Sequence, residues 1–245
     1  MILKNRNILI TGGGKGIGYH SVINASKEGA FVYTIIKSKI DKKKFKNLKN
    51  VKAYIGNVSN TKIIKKILKD SIKDKKIISG LVNNAGIRQR IKFNKINNKN
   101  LKDVFETNFF SIFNIMQIFT KHLLKNKLKG SIVNIGSIVG PTGFSELSGY
   151  ASTKSALIGL TKSYAVEMSK KNIRANIINP GFTKTSYFKK FKQKKKLYKW
   201  TLSRIPMGRW GEPNEISYLI NFLLSDKSQY ITGESINIDG GWLSA

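Results

Sequence analysis

Short apolar runs alternate along the chain with longer stretches in which apolar residues recur every three or four positions. The runs are "NILIT", "FVYTII", "VKAYIG", "ISGLVNN", "GSIVNIGS", "IRANIINPG" and "SINIDGG". Their length and their content of Val, Ile, Tyr and Phe predict strands, and the spacing between them predicts helices over 17–29, 61–75, 101–126 and 150–169. A basic connection follows the second run. Runs such as "SIVNI" and "GLVNN" do not alternate strictly between apolar and polar, as expected of strands covered on both faces. Strands that alternate with helices pair in parallel through right-handed crossovers, so the pattern predicts an α/β, doubly wound parallel sheet with helices on both faces. No repeat, Pro-rich linker or low-complexity tail divides the 245 residues, which predicts a single domain. Ligands of such sheets bind beyond the carboxyl ends of the strands, and the unusual polar clusters of this chain all fall there.

Composition narrows the chemistry. There is no cysteine, which excludes disulfides, thiolate metal sites and thiol nucleophiles, and the two histidines, His20 and His122, are too few for a metal cluster. Hydroxyls, lysine, carboxylates or a cofactor must do the work. The opening "MILKNRN" leads straight into a strand and "FFSIFNIMQIF" is too short and interrupted to span a bilayer, so a cytoplasmic protein with no membrane partner is expected. Lys+Arg number 45 against 13 Asp+Glu, a formal charge of +32. Such a charge ordinarily points to nucleic acid. Here only six of the cations are Arg, and Lys, Ile and Asn are all heavily used, which marks a compositional bias. The lysines are spread over helix faces and loops with no helix-turn-helix or zinc signature, so no specific nucleic-acid partner is expected.

Two clusters carry candidate chemistry. "TGGGKGIG" places Gly12, Gly16 and Gly18 where a strand meets a helix. Glycine there permits positive φ and close approach of a ligand, and the helix N-terminus offers free N–H groups, a combination suited to a dinucleotide pyrophosphate. The second cluster is Tyr150 and Lys154. Hydride transfer at a carbonyl carbon needs a group that gives or takes a proton at the oxygen, and without a positioned His a phenol is the natural candidate. A lysine four residues on shares its helix face and favours the phenolate. Tyr33 and Lys37 have the same spacing, but they lie in a predicted strand, where four residues span roughly 13 Å.

In order along the chain, "TGGGKGIG", "NNAG" at 83–86, Asn108 in "FETNFFSIF", Ser137 in "NIGSIVG", "YASTK" at 150–154, "NPGFTKT" at 179–185 and "YITGESINIDGG" resemble the short-chain dehydrogenases/reductases over essentially the whole sequence. The resemblance implies a Rossmann-like fold, an NAD(P)-dependent oxidoreductase and a homotetramer. It implies a catalytic set of Asn108, Ser137, Tyr150 and Lys154, with Ser137 bonding the substrate oxygen and Asn108 holding a water in a proton relay from Lys154. For the cofactor it implies Gly12, Lys15, Gly16, Ile17 and Gly18 in the first loop, and Lys37 after the second strand. Asn57 and Val58 would follow the third strand and Asn84, Ala85 and Gly86 the fourth. Pro180, Gly181, Thr183 and Thr185 would follow the sixth, with Tyr150 and Lys154 shared; Asn83 is mainly structural. Asn57 stands where the family usually carries an Asp for the adenine amino group. The acidic slot expected of NAD enzymes at the end of the second strand holds Ile35, with Lys37 and Lys15 nearby, so NADP(H) is expected in preference to NAD(H).

For the substrate, "GYASTKSALIGLTKS" is similar to 3-oxoacyl-[acyl-carrier-protein] reductases, whereas "NNAGIRQR", "RIPMGRWGEP" and "DGGWL" look more like sugar-acid and polyol dehydrogenases. The expected substrate is a small or acyl-carrier-bound carbonyl compound, with acyl carrier protein as a candidate partner on a basic rim of Lys127, Lys129 and Lys171. Arginine is scarce, so Arg88 and Arg90, which follow the fourth strand, are candidates to grip a carboxylate. Residues 186–200 are expected to form a lid whose Phe188, Phe191, Leu197 and Trp200 either wall the pocket or pack the lid down.

Overall fold

The structure, a computed structural model, describes residues 1–245. Seven strands form one sheet: β1 (Asn7–Thr11), β2 (Phe31–Ile36), β3 (Val51–Ile55), β4 (Gly80–Asn83), β5 (Gly130–Ile135), β6 (Ile173–Pro180) and β7 (Ser235–Ile238). Their order is β3-β2-β1-β4-β5-β6-β7, and every pairing is parallel. The chain moves outward from β1 to β3 and then crosses back to β4. The strand order therefore reverses between β1 and β4, where a crevice opens beyond the carboxyl ends.

Alternate residues of each strand feed opposite faces. Leu9, Tyr33, Ile35 and Ile132 pack under α3 (Thr61–Lys73), α5 (Ser111–Lys125) and α6 (Ser148–Met168). Ile8, Ile10, Val32 and Val133 pack against α1 (Gly16–Lys27) and α9 (Pro213–Leu224). The helix α9 is absent from the elements the pattern predicts, although its buried Ile216, Ile220, Leu223 and Leu224 recur at helical spacing. Pro213 at its first turn and a reciprocal Glu212–Glu215 capping box start it, and it fills the face that α1 leaves open. The expected helix over 101–126 is three pieces. A capping box between Asn97 and Asn100 starts α4 (Asn98–Phe105), a π-helical turn spans Glu106–Phe110, and α5 continues. The basic connection after β2 contains the short α2 (Lys39–Lys43).

A buried polar chain crosses the sheet below the site. Asn83 Nδ2 donates to Asn134 Oδ1 (2.8 Å), Asn134 Nδ2 donates to Thr161 Oγ1 (2.9 Å), and Thr161 donates to the Leu157 carbonyl (2.6 Å). These bonds fix β4, β5 and α6 to one another, so α6 meets the sheet in one register. The region expected as a lid folds into α7 (Phe188–Lys192) and α8 (Lys195–Arg204) over a third, aromatic-rich cluster that includes Phe191, Trp210 and Trp242.

A Cβ on Gly18 would stand 2.3 Å from both Asn84 Nδ2 and the Gly12 carbonyl, whereas one on Gly143 would meet nothing within 4 Å. Gly18→Ala is therefore expected to lower stability by about 1–3 kcal/mol through overpacking, and Gly143→Ala to stay near neutral, as urea unfolding of the two variants will show.

Candidate active site

The loop after β1 is built from bare backbone because its neighbours leave no room for side chains. Gly12 has φ of 69° and Gly16 of 53°, both in the left-handed region that favours glycine. A Cβ on Gly12 would reach Ala85 Cα at 2.9 Å, and one on Gly16 would meet the Thr185 side chain at 3.3 Å. The loop is thus pressed between the segments that follow β4 and β6. Thr11 ties it down: its hydroxyl accepts from the Asn84 and Ala85 N–H groups (3.0 and 3.1 Å) and donates to the Val82 carbonyl (3.2 Å). Asn84 Nδ2 returns to the Thr11 and Gly12 carbonyls (2.9 and 3.2 Å). The result is an N–H-lined cradle at the start of α1, shaped for phosphate.

Beyond β5 lie the reactive side chains. Lys154 is 5% exposed, and its ammonium donates to the Ile135 carbonyl at 2.6 Å. Burial pulls its pKa down from 10.5 to about 8. Nζ stands 5.7 Å from the centre of the Tyr150 ring, as the shared helix face requires. The Tyr150 phenol is pushed up by burial, while the neighbouring Ser137 hydroxyl and the positive charge of Arg88 act in the opposite direction. Two cations thus stand near the phenol, Arg88 in the cleft and Lys154 on the same helix face. Ser137 Oγ accepts from the Val139 N–H at 3.2 Å, which fixes the hydroxyl at the mouth of the turn. Tyr150, Lys154 and Ser137 line one cleft of about 450 Å³.

Comparison with known proteins places this architecture. A family model described as enoyl-(acyl carrier protein) reductase matches residues 12–243. The 3-oxoacyl-[acyl-carrier-protein] reductase FabG of Thermotoga maritima is 36% identical, with 98% of this chain and 99% of that protein covered. The chain belongs to the short-chain dehydrogenase/reductase family. It is an oxidoreductase acting on CH–OH groups. FabG of Vibrio cholerae is 32% identical over 98% of both chains. Among solved structures, ElxO with NADP bound superposes with a TM-score of 0.90 at 32% identity, covering 98% of this chain and 99% of that one. An Agrobacterium tumefaciens protein assigned as a 2-deoxy-D-gluconate 3-dehydrogenase, solved with NADP, gives a TM-score of 0.92 at 30% identity, covering 99% and 98%.

The family positions do not all meet in the cleft. Ile17, Asn84 and Gly86 line it from the glycine-loop side, and Pro180, Gly181, Thr183 and Thr185 from the loop after β6. Lys15 and Lys37 are exposed and stand outside it, toward β2. Asn57 is exposed after β3, its side-chain oxygen accepting from the Ser59 N–H (3.2 Å), and Val58 is buried in the core cluster under α3. Ile35 belongs to that same cluster at 1% exposure, so it cannot face a ribose; the first exposed side chain past β2 is Lys37. Asn108 lies in the π-helical turn, fully buried. Its amide accepts from the Ile87 N–H (2.8 Å) and donates to the Ile87 carbonyl (2.9 Å) and Thr153 (3.3 Å). It stitches the segment carrying Arg88 to α6.

The two arginines separate. Arg90 pairs with Glu146 at 2.7 Å, away from the reactive groups. Arg88 lines the cleft without an acidic partner, its guanidinium 5.3 Å from the Tyr187 ring centre. The four lid side chains pack the lid down. Phe191 is buried against Trp210, Trp200 packs on Trp242, and Phe188 and Leu197 flank the same cluster. The aromatic wall is instead Phe144, Phe182, Tyr187 and Trp210. Phe182 and Tyr187 follow the "PG" turn closely enough for sequence position to have marked them. Lys127 and Lys129 precede β5 and Lys171 precedes β6, so the expected rim lies at the opposite end of the sheet from this chain's own cleft.

Because folding penalises the Lys154 ammonium, the unfolded chain binds that proton more tightly, and stability rises with pH between about 8 and 10.5. The contribution is about 3 kcal/mol across that window. Lys154→Met is expected to remove it, which denaturant midpoints of both proteins at pH 8 and pH 10 will show.

Proposed function

We propose that this chain is an NADP(H)-dependent carbonyl reductase whose substrate is a 3-oxoacyl thioester carried on acyl carrier protein. The observation that carries the reading is the single cleft holding Ser137, Tyr150 and Lys154 beside the glycine cradle. The names of the full-length relatives support the thioester, and the solved neighbours with bound NADP support the cofactor. The cradle fits a dinucleotide, because the space that Cβ atoms on Gly12, Gly16 and Gly18 would fill is already bounded by Ala85, Thr185 and Asn84.

In this reading Gly12, Gly16, Ile17 and Gly18 receive the pyrophosphate, with Asn84, Ala85 and Gly86 beside them. Asn57 and Val58 border the adenine. Lys15 and Lys37 supply positive charge for a 2′-phosphate. Pro180, Gly181, Thr183 and Thr185 border the nicotinamide end. When bound, the cofactor supplies the hydride to the carbonyl carbon. Ser137 donates to the carbonyl oxygen and holds it beside Tyr150. The Tyr150 phenol gives its proton to that oxygen, and Arg88 steadies the phenolate left behind. Lys154, protonated below about pH 8, returns the proton, fed by a water relay in which Asn108 takes part. Residues 186–200 close over the substrate. A cytoplasmic homotetramer goes with this reading, supported by the exposed Phe110, Phe113 and Val166 on the π-helical turn, α5 and α6.

A sugar-acid substrate is the second reading, favoured by the unpaired Arg88 in the cleft and by the Agrobacterium tumefaciens neighbour. NADPH oxidation against 3-oxoacyl thioesters, and NADP reduction against sugar acids, will separate the two; turnover of sugar acids alone sinks the thioester assignment.

Tyr150→Phe is expected to cut kcat by about 10²–10⁴-fold with cofactor affinity within a few fold. Near-normal turnover in that variant would end the mechanism. Arg88→Ala is expected to cost about 1.5–3 kcal/mol in kcat/KM for a sugar acid, as for a lost charge-assisted hydrogen bond, and less for a short uncharged thioester.

A further inference from the structure

The segment after β2 reads in sequence as a run of cations, yet the first buried charge past that strand is a carboxylate. Asp41 in α2 is 5% exposed and lies directly behind the glycine loop: a Cβ on Gly14 would stand 2.8 Å from its carboxylate. Ser38 Oγ donates to Asp41 Oδ2 at 2.9 Å and accepts from the Asp41 N–H at 3.2 Å. Lys44 Nζ donates to Oδ1 at 2.8 Å and, with the same ammonium, to the Gly14 carbonyl at 2.8 Å. It also sits 5.6 Å from the Tyr19 ring centre. Lys44 and Ser38, with the charge of Lys15 across the loop, hold Asp41 well below the usual carboxylate range. It is therefore ionised at neutral pH. Lys15 and Lys37 pair with no carboxylate.

A carboxylate just past the second strand of a dinucleotide unit accepts from the ribose 2′-hydroxyl of NAD and repels the 2′-phosphate of NADP. Here both Asp41 oxygens already accept hydrogen bonds, and the charge is matched by an adjacent ammonium. We propose that Lys44 is a positioning residue for cofactor choice: it cancels the charge of Asp41 behind the glycine loop, so that Lys15 and Lys37 present net positive charge to a 2′-phosphate. The inference rests on the NADP(H) reading. Without Lys44 the loop carries an uncompensated carboxylate behind the phosphate position, in a partly desolvated place where charges are weakly screened.

Fluorescence titration of the intact enzyme with NADPH and with NADH, without substrate, tests this. Lys44→Ala is expected to weaken NADPH at least tenfold while NADH changes less than threefold. Adding Asp41→Asn to that variant is expected to bring NADPH back to within about threefold of the native value, since nothing is left to cancel. Equal losses for both cofactors, no loss, or no recovery in the double variant would overturn the role given to Lys44. Should Lys44→Ala fail to fold, Asp41→Asn alone carries the test: NADPH should bind as tightly as in the native enzyme or more so, and weaker binding overturns the proposal. A native enzyme that binds NADH as tightly as NADPH overturns the cofactor reading itself, whereas a native preference for NADPH that is undiminished in Lys44→Ala overturns only this inference.

Discussion

An ammonium held out of water with no carboxylate beside it is the constraint on which the site depends. Lys154 has one hydrogen-bond partner, the carbonyl of Ile135 at the end of β5. Burying a lone cation is costly, so the surroundings must hold the geometry tightly to keep it. The chain of Asn83, Asn134 and Thr161 does this from below by locking α6 to the sheet. Asn108 does it from the side through Thr153, the residue before Lys154. A lysine whose charge is disfavoured by burial is the outcome, and it suits the proton-passing role proposed for it.

The glycine loop and the cleft depend on each other through the same economy of space. Gly12 lies against Ala85, Gly16 against Thr185 and Gly18 against Asn84. Segments distant in sequence thus close one cradle, and an added methyl group at Gly12 or Gly18 would force its neighbours to shift. Thr11 supplies the polar counterpart, because one hydroxyl satisfies two N–H groups that a buried turn would otherwise leave unpaired.

Charge behaves differently inside and outside this framework. Most of the lysines are solvated and contribute little individually. Three cations are distinguished by place: Lys154 by burial, Arg88 by facing the cleft unpaired beside Tyr150, and Lys44 by bridging Asp41 and the glycine loop. In a chain with a formal charge of +32, position carries the information that composition cannot.

Much of the fold was legible in the residues themselves. Runs such as "NILIT" and "FVYTII" became β1 and β2 residue for residue, because strands buried on both faces must be apolar wherever they occur. Tyr150 with Lys154, the glycine spacing and the "PG" turn were equally visible, since each is a local pattern of side chains on one element. The helix α9 has the helical spacing of Ile216, Ile220, Leu223 and Leu224 in its sequence, but which face of the sheet it covers is decided by its packing beside α1. Ile35, which fills the slot where NAD enzymes carry an acid, is core, because the face a strand residue meets is decided by the packing of the sheet. The lid aromatics, the separation of Arg88 from Arg90, the distance of Lys171 from the cleft, and the carboxylate behind Gly14 are all relations between residues far apart in the chain. Local sequence determines what each segment can be; only the closing of the sheet and its loops decides which side chains share a space, because that depends on packing no single segment contains.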